Sequence, residues 1–245
     1  MPDTTTLLAL VAGHMLGDFV LQSDAMAERK AHRGRWQVVH AAAVAGVTWL
    51  LLGTIAAAWA AGALFVLHLS IDLLKRRLAP RLRWFTLDQV LHGLSLVGLW
   101  LAIDAFAPNL PGRNVWTGLW ASSYAAGLLL VAGFVVTVWL VGVVVKYQMA
   151  DFAGGLPGEL MEGLPRAGRA VGRLERTLVF LFVLIGQPEA VGFVVAAKSV
   201  FRIGDLTKRD QRNHAEYIMI GTMRSFAYAL LLALATRWLF VRIAP

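Results

Sequence analysis

Three pairs of histidine and aspartate stand four residues apart in otherwise apolar parts of the chain. They are His14 and Asp18 in GHMLGD, His68 and Asp72 in HLSID, and Asp88 and His92 in DQVLH. Residues at i and i+4 lie on the same face of an α-helix, so each pair offers an imidazole and a carboxylate side by side. Borderline divalent metal ions accept both donor types, and helical pairs of this spacing supply ligands to zinc.

One such pair is weak support for a metal, because polar side chains on membrane helices more often hydrogen-bond to a neighbouring helix. Asp88 and Gln89 also have a local explanation, since Thr86 to Gln89 fits a capping box at the start of a helix. Lys75 is explained as an interfacial charge with its stem on apolar surface. A shared site therefore requires that the helices bring the three pairs to one level.

The composition predicts that these helices lie in a membrane. Of the 245 residues, 58% are hydrophobic and only 16% are charged, and there are no cysteines to form disulfides or thiolate metal sites. Apolar stretches long enough to cross a bilayer, or nearly so, cover residues 5–22, 38–53, 57–75, 86–106, 118–145, 176–186, 188–203 and 215–240. The segment 38–75 is too long for one span and is expected to turn near Gly53.

Lysine and arginine clusters alternate with connections that are nearly free of cations. The basic segments are 23–37, 75–83, 146–176 and 198–212, and the loop 107–117 carries only Arg113. Basic segments stay in the cytoplasm, so the sequence predicts an all-α, polytopic transmembrane bundle of about eight segments with both termini outside. The pair within 176–203 is broken by GQPEA and is either a short hairpin of spans or a re-entrant loop.

The predicted domains are an N-terminal four-helix half, 1–110, which carries the histidine and aspartate pairs, and a C-terminal half, 111–245. A Gly/Pro-punctuated cytoplasmic interfacial loop is expected at about 146–172 in the second half. No internal repeat is evident, and no pattern specifies an oligomeric state. The net charge of +8 follows from membrane topology, because the basic residues form no aromatic-interleaved patch, and no nucleic-acid partner is predicted.

This topology puts all three pairs at one depth, in the turns nearest the cytoplasm. His40, in the first turns of the second helix, lies at that depth too. An aspartate at the bilayer centre costs about 2.5 to 3.5 kcal/mol, less near the interface, so each acid needs a partner. A divalent ion, zinc, manganese or magnesium, is the predicted partner. Its predicted ligands are His14, Asp18, His68, Asp72, Asp88 and His92, with His40 as a ligand or proton shuttle and Gln22 and Gln89 as orienting groups.

Arg224 lies about two turns inside the last apolar stretch and is expected to face the protein interior and meet an acid or an anion. A phosphate-bearing lipid headgroup or a soluble phosphoester is a suitable anion, with Lys198 or Arg202 as further cations near it. Membrane lipid and a lipid-linked substrate are therefore the predicted partners.

The segments GHMLGDFVLQSDAMAERK, HLSIDLLK, DQVLH, GRLERTL, AAKSVFRIGD and EYIMIGT together resemble a family of bacterial multi-spanning membrane proteins catalogued as a domain of unknown function. This resemblance covers nearly the whole chain and implies no activity. The pairs His14/Asp18 and His68/Asp72 also resemble those of membrane-bound metal-dependent hydrolases described as LexA-binding inner-membrane proteins, which implies a hydrolytic activity.

The sequence favours a metal-dependent membrane hydrolase that acts at the cytoplasmic face on a lipid-linked or membrane-proximal phosphoester or acyl bond. A cation- or proton-coupled transporter is the first alternative, although carriers usually place such a site near the midplane between repeated halves. The second alternative is a non-catalytic membrane scaffold in which the polar residues fix helix packing.

Overall fold

The computed structural model describes residues 3–23, 26, 34–76, 78–120, 122–153, 167–200 and 212–244. These residues are almost entirely helical and contain no β-strand, so the predicted all-α class is confirmed. The α-helices are α1 (Thr4–Met15), α2 (Gly34–Leu52), α3 (Ala58–Lys75), α4 (Leu82–Phe106), α5 (Val115–Trp120), α6 (Ser122–Val135), α7 (Val141–Ala153), α8 (Ala167–Leu184), α9 (Ala190–Val200) and α10 (Arg212–Ile243). A π-helical turn, Leu16–Val20, extends α1, and another, Val136–Leu140, joins α6 to α7.

Four helical stretches of the described chain are long and apolar enough to cross a membrane. They are Ile55–Lys75, Leu82–Phe106, Ser123–Ala150 and Ala215–Ile243. Thr4–Val20 and Ala190–Ser199 are shorter apolar helices. These lengths and compositions support a helical membrane protein. The number of eight segments and the position of the termini stay predictions.

Backbone contacts divide the chain into two compact units. The first comprises Met1–Val135 with Leu239–Pro245, and the second comprises Val136–Trp238. The division into an N-terminal half, 1–110, and a C-terminal half, 111–245, stays a prediction from the sequence. Helices enter the predicted interfacial loop from both ends, since α7 continues to Ala153 and α8 begins at Ala167, and residues 154–166 lie outside the described part of the chain.

The first unit packs around an apolar core to which α1, α2, α3, α4 and α6 contribute. Its central buried residues include Leu10, Val44, Leu64, Leu96 and Ile103. The predicted turn near Gly53 is confirmed: α2 ends at Leu52, and Gly53 has a φ of +63°, which glycine adopts without steric cost. This core fixes the relative positions of α1, α2, α3 and α4.

The capping box expected at Thr86 is wrong. The helix α4 begins at Leu82, with Arg81 in the extended conformation before it, so Thr86 lies inside the helix. Asp88 is therefore in the second turn of α4, where few free backbone N–H groups remain for a side chain to satisfy. A capping role therefore does not explain the burial of Asp88.

The second unit contains a buried arginine that joins two of its helices to a π-helical turn. Arg176, on α8, donates from Nε to the backbone oxygen of Val138 at 2.9 Å and from Nη1 to Oγ of Ser225 at 3.1 Å. A Cβ atom added at Gly142 or Gly172 would lie 2.7 or 3.0 Å from a guanidinium nitrogen of Arg176. The two glycines therefore leave the space that the arginine fills.

Candidate metal centre

Histidines and aspartates from four helical segments of the first unit converge in one buried cluster. We call this set the polar cluster: His14 and Asp18 from α1 and its π-helical turn, His40 from α2, His68 and Asp72 from α3, and Asp88 and His92 from α4. Each of its four histidines is at most 1% exposed. The side chains of the three pairs and His40, which the sequence predicts at one depth, thus lie close to one another.

Close packing of α1 against α2 brings the first pair into the cluster. A Cβ atom at Gly13 would lie 2.6 Å from Cα of Thr48, and one at Gly17 would lie 2.9 Å from Cα of Val44, so both positions require glycine. Small residues four apart allow membrane helices to approach closely. Gly13 and Gly17 directly precede His14 and Asp18, the two cluster residues of this helix. The two glycines in GHMLGD are therefore a sequence signal for the close approach of α1 to α2.

Asp18 lies within the π-helical turn, where the N–H of Leu21 donates to the backbone oxygen of Leu16 at 2.9 Å. This i to i+5 bond widens the turn, and single π turns are frequent at functional sites. The wider turn changes the direction in which the side chain of Asp18 leaves the helix. An unbroken α-helix, as assumed from the i, i+4, i+8 spacing of His14, Asp18 and Gln22, would place that side chain differently.

The carboxylate of Asp18 is surrounded by imidazole rings. Its Oδ1 atom lies 2.9 Å from Nε2 of His40 and 3.3 Å from Nε2 of His68. Its Oδ2 atom lies 3.7 Å from Nε2 of His14. Three histidines on three helices therefore face one aspartate.

Asp72 meets two of the same rings from the other side. Its Oδ2 atom lies 3.8 Å from Nε2 of His68 and 3.9 Å from Nε2 of His40. Together with Oδ1 of Asp18, these nitrogens and oxygens form a quartet whose neighbouring separations run from 2.9 to 3.9 Å. Four ligands at about 2.0 to 2.1 Å from a tetrahedral ion are roughly 3.3 Å apart, and these four separations bracket that spacing.

Asp88 and His92 form the other edge of the polar cluster. Asp88 Oδ2 accepts hydrogen bonds from Nζ of Lys75 and, at 3.1 Å, from Nε2 of Gln89. Gln89 therefore contacts Asp88, and its predicted orienting role stays a prediction. Nδ1 of His92 lies 2.9 Å from the backbone oxygen of Asp88. Because a carbonyl oxygen only accepts, Nδ1 carries the proton and Nε2 holds a free lone pair.

Several buried nitrogens of the polar cluster make no hydrogen bond with any residue that the structure describes. They are both ring nitrogens of His14 and of His68, Nδ1 of His40 and Nε2 of His92. The rings lie against one another, with centroids 4.4 Å apart for His68 and His92 and 4.9 Å apart for His14 and His92. A buried polar atom without a partner costs about 1 to 3 kcal/mol. Imidazoles and carboxylates left in this state fit the donor set of a divalent metal ion.

The remaining predicted site residues lie apart from these contacts. Gln22 follows the end of the helical segment at Val20, is half-buried and makes no hydrogen bond with a described residue. Lys198 lies 2.7 Å from an oxygen of Glu175, and Arg202 lies outside the described residues.

Arg224 belongs to the second unit and is half-buried there. Its Nη1 atom lies 3.4 Å from the backbone oxygen of Gln148, and its guanidinium lies over the ring of Phe152 at 5.4 Å. The interior orientation expected for this arginine agrees with these contacts. Its predicted role in binding an anion stays a prediction.

Lys75 pairs with a member of the polar cluster, a contact that the sequence did not predict. It was expected to be an interfacial charge, and its side chain is indeed 39% exposed. Its ammonium group nevertheless pairs with the buried carboxylate of Asp88. The spacing from Lys75 to Asp88 crosses the connection between α3 and α4, so no periodicity within one helix could reveal the pair.

Residues 6–115 match the model of a family described as "Protein of unknown function (DUF3307)". The match contains every member of the polar cluster and Lys75, whereas the resemblance to a family of unknown function was expected to extend over nearly the whole chain. No curated protein and no solved structure matches the chain.

Proposed function

We propose that the polar cluster binds a divalent metal ion and that the protein is a metal-dependent membrane hydrolase. The observation that carries this proposal is the quartet of Asp18 Oδ1, His40 Nε2, His68 Nε2 and Asp72 Oδ2, with separations of 2.9 to 3.9 Å. Three of its side chains are at most 7% exposed, and Asp18 is 11% exposed. Such a set of donors inside a helical membrane unit is costly to maintain unless something binds to it.

The charge of the polar cluster supports a cation. Its three aspartates carry three negative charges, and Lys75 neutralises one of them through Asp88. The other two aspartates, Asp18 and Asp72, are the two acids of the quartet. A divalent ion would be a compensating partner for carboxylates in this position.

The donor types narrow the choice of metal. Two imidazole nitrogens beside two carboxylate oxygens suit zinc or manganese, whereas magnesium prefers oxygen ligands in octahedral geometry. Zinc is the first choice because the four separations bracket the ligand spacing around a tetrahedral zinc ion. His14, against the second oxygen of Asp18 at 3.7 Å, would serve as a further ligand or accept a proton.

A bound divalent ion would supply an activated water near neutral pH and would neutralise negative charge that develops on the substrate. In the hydrolysis, the oxygen of water bonds to phosphorus or to an acyl carbon, the bond to the leaving alcohol breaks, and that alcohol takes a proton. Asp18 and Asp72 would hold the ion, and Gln89 would orient Asp88 through its 3.1 Å hydrogen bond. Arg224 remains a candidate for binding the anionic part of a substrate.

The proposed setting is the bacterial inner membrane, with about eight membrane segments and both termini outside. The polar cluster lies near the ends of α1 and α3 and near the beginnings of α2 and α4. The connections at these ends contain the basic segments 23–37 and 75–83, which the positive-inside rule assigns to the cytoplasm. The substrate would therefore be a lipid-linked or membrane-proximal phosphoester or acyl compound reached from the cytoplasmic face.

Metal analysis of the full chain, purified in detergent, tests the proposal. Zinc should remain bound in a stoichiometric amount after gel filtration, and His68→Ala should lose it, while Ser70→Ala, on an exposed position of the same helix, should keep it. A wild-type protein that binds no zinc or manganese would sink the metal proposal. Transport of the ion into proteoliposomes, abolished by Asp72→Asn, would instead favour a carrier over a hydrolase.

A further inference from the structure

A groove lined mainly by apolar side chains lies between α9 and α10 in the second unit. Its apolar lining comes from Val195 on α9 and from Ala215, Met219 and Met223 on α10, and its volume is about 70 Å³. Ala215 is buried, while Met219 and Met223 are 48% and 43% exposed. The groove is therefore open on one side, and it has room for a segment of one flexible chain.

The two helices that line the groove are apolar and differ greatly in length. The stretch Ala215–Ile243 of α10 is long and apolar enough to cross a membrane. The helix α9 has 11 residues, a length of about 16 Å against a hydrocarbon layer of about 30 Å, so it can cover only part of α10. In a bilayer, the molecules that reach such a groove are lipids, and methionine side chains adapt well to flexible apolar ligands.

Polar groups join the lining of the groove where α9 ends. They are Lys198, in the last turn of α9, with Ser199 beside it and Thr222 on α10. Lys198 Nζ donates to both carboxylate oxygens of Glu175, at 2.7 and 2.8 Å, and this ion pair fixes the position of the ammonium group. An ammonium group has three N–H donors, so one is left for a further acceptor such as a phosphate oxygen.

The sequence that follows this end of α9 is basic. The segment 198–212 contains five lysines or arginines and two aspartates, an excess of three positive charges. Residues 201–211 of this segment lie outside the described part of the chain. The positive-inside rule assigns the segment to the cytoplasm, where the membrane leaflet contains anionic lipids. Each cation near that surface raises the affinity for an anionic lipid by about a factor of five.

We propose that the groove binds one acyl chain of an anionic glycerophospholipid of the cytoplasmic leaflet, with the phosphate of that lipid beside Lys198. The apolar lining contacts the chain, and the third N–H of Lys198 donates to a phosphate oxygen. The basic segment favours a headgroup of net negative charge over a zwitterionic one. The groove lies in the second unit and does not depend on the metal proposed for the first unit, so a failure of either proposal leaves the other standing.

Native mass spectrometry of the full chain in detergent tests the choice of lipid. Phosphatidylglycerol and phosphatidylcholine with the same acyl chains are added in equal amounts to delipidated protein. One phosphatidylglycerol should stay bound per chain, with a preference of at least about fivefold over phosphatidylcholine. Lys198→Gln should lower this preference about fivefold, whereas Lys146→Gln, which removes an exposed lysine of the same unit, should keep it. Equal binding of both lipids by the wild type would overturn the proposal.

A pair of tryptophan variants tests the position of the acyl chain. Met223→Trp puts a bulky ring into the groove and should remove the bound phosphatidylglycerol. Leu231→Trp, two turns further along α10 at a position that is 65% exposed, adds bulk outside the groove and should keep the lipid. Lipid retained by Met223→Trp would overturn the assignment to the groove. A dimeric wild type that becomes monomeric in Met223→Trp with its lipid still bound would show that the groove contacts a second copy, which also overturns it.

The wild-type protein remains decisive should the tryptophan variant fail to fold. Phosphatidylglycerol with a photoactivatable diazirine in its acyl chain is added to the full chain in detergent, and the crosslinked peptides are mapped after irradiation. Crosslinks should be concentrated in residues 195–199 and 215–223, which contain the lining of the groove. Crosslinks spread evenly over the apolar helices would show that no single chain is held there, and they would overturn the proposal.

Discussion

His40 Nε2 lies 2.9 Å from Asp18 Oδ1, a contact that joins the first turns of α2 to the π-helical turn after α1. No spacing within one helix relates these two residues, which are 22 positions apart. The contact makes His40 a central member of the polar cluster. Because His40 and Asp18 are both proposed ligands, a change in the position of one side chain would also move the other.

Replacing Asp18 with asparagine should weaken zinc binding strongly. Asparagine has nearly the same shape and can still accept a hydrogen bond from His40, but it removes a negative charge from the quartet. The loss should exceed the roughly 10- to 100-fold typical of changes in groups that only orient ligands. Competition with a chromophoric chelator measures the affinity. Asp104→Asn, an exposed carboxylate on α4, is the control and should bind zinc as the wild type does.

Zinc should stabilise the folded protein, because it binds the assembled quartet and has no equivalent site in the unfolded chain. At a free concentration 100 times the dissociation constant, the gain is about 2.7 kcal/mol. Thermal unfolding in detergent, with and without zinc, measures the gain. It should vanish in His40→Ala. An equal gain in that variant would mean that zinc binds elsewhere.

Gly13→Ala should destabilise the first unit, since its Cβ would lie 2.6 Å from the backbone of Thr48. Overpacking of this kind costs about 1 to 3 kcal/mol, and it should also lower zinc affinity by moving His14 and Asp18 away from α2. Gly46→Ala is the matched control, because nothing lies within 4 Å of a Cβ added there and alanine favours a helix by about 1 kcal/mol. Equal melting temperatures for the two variants would contradict the close approach of α1 and α2.

Lys75→Met should leave the buried carboxylate of Asp88 without its cation and lower the free energy of unfolding. Because the side chain of Lys75 is 39% exposed, solvent screens the pair, and a cost of about 1 to 2 kcal/mol is expected. The double variant Lys75→Met, Asp88→Asn should be more stable than the sum of the single effects predicts, because the unpaired charge is gone. If chemical denaturation shows that the two single changes in the free energy of unfolding simply add in the double variant, the ion pair of Lys75 and Asp88 contributes nothing to stability.

The sequence predicted the members of the polar cluster well because two independent patterns coincide. The i, i+4 spacing identifies the faces of three helices, and the positive-inside rule gives the ends at which those faces meet. Neither pattern contains distances between helices. The contact of His40 with Asp18 and the pairing of Lys75 with Asp88 therefore required the three-dimensional structure.

Helix boundaries and local geometry were predicted less well. The capping box at Thr86 failed because α4 starts at Leu82, four residues before the apolar stretch that was assigned to it. The π-helical turn at Leu16–Val20 was missed because hydrophobic periodicity does not register one extra residue in a turn. Gln22 was expected on the same face as His14 because a regular α-helix was assumed through residue 22. The π-helical turn and the end of the helical segment at Val20 contradict that assumption.

Arg176→Lys should destabilise the second unit although the charge is kept. The guanidinium donates from Nε to the oxygen of Val138 at 2.9 Å and from Nη1 to Ser225 at 3.1 Å, and a single ammonium group cannot reproduce that fork. The π-helical turn Val136–Leu140 would then have a buried carbonyl group without its donor, which costs about 1 to 3 kcal/mol.

Arg173→Lys, an exposed change one turn earlier on α8, is the control for the Arg176 variant, and its free energy of unfolding should stay within about 0.5 kcal/mol of the wild-type value. Zinc binding by the first unit provides a second readout. It should be unchanged in both variants, because the contacts of Arg176 lie within the second unit. If Arg176→Lys melts as the wild type does, the fork is dispensable and the turn at Val138 must be held by the helices that flank it.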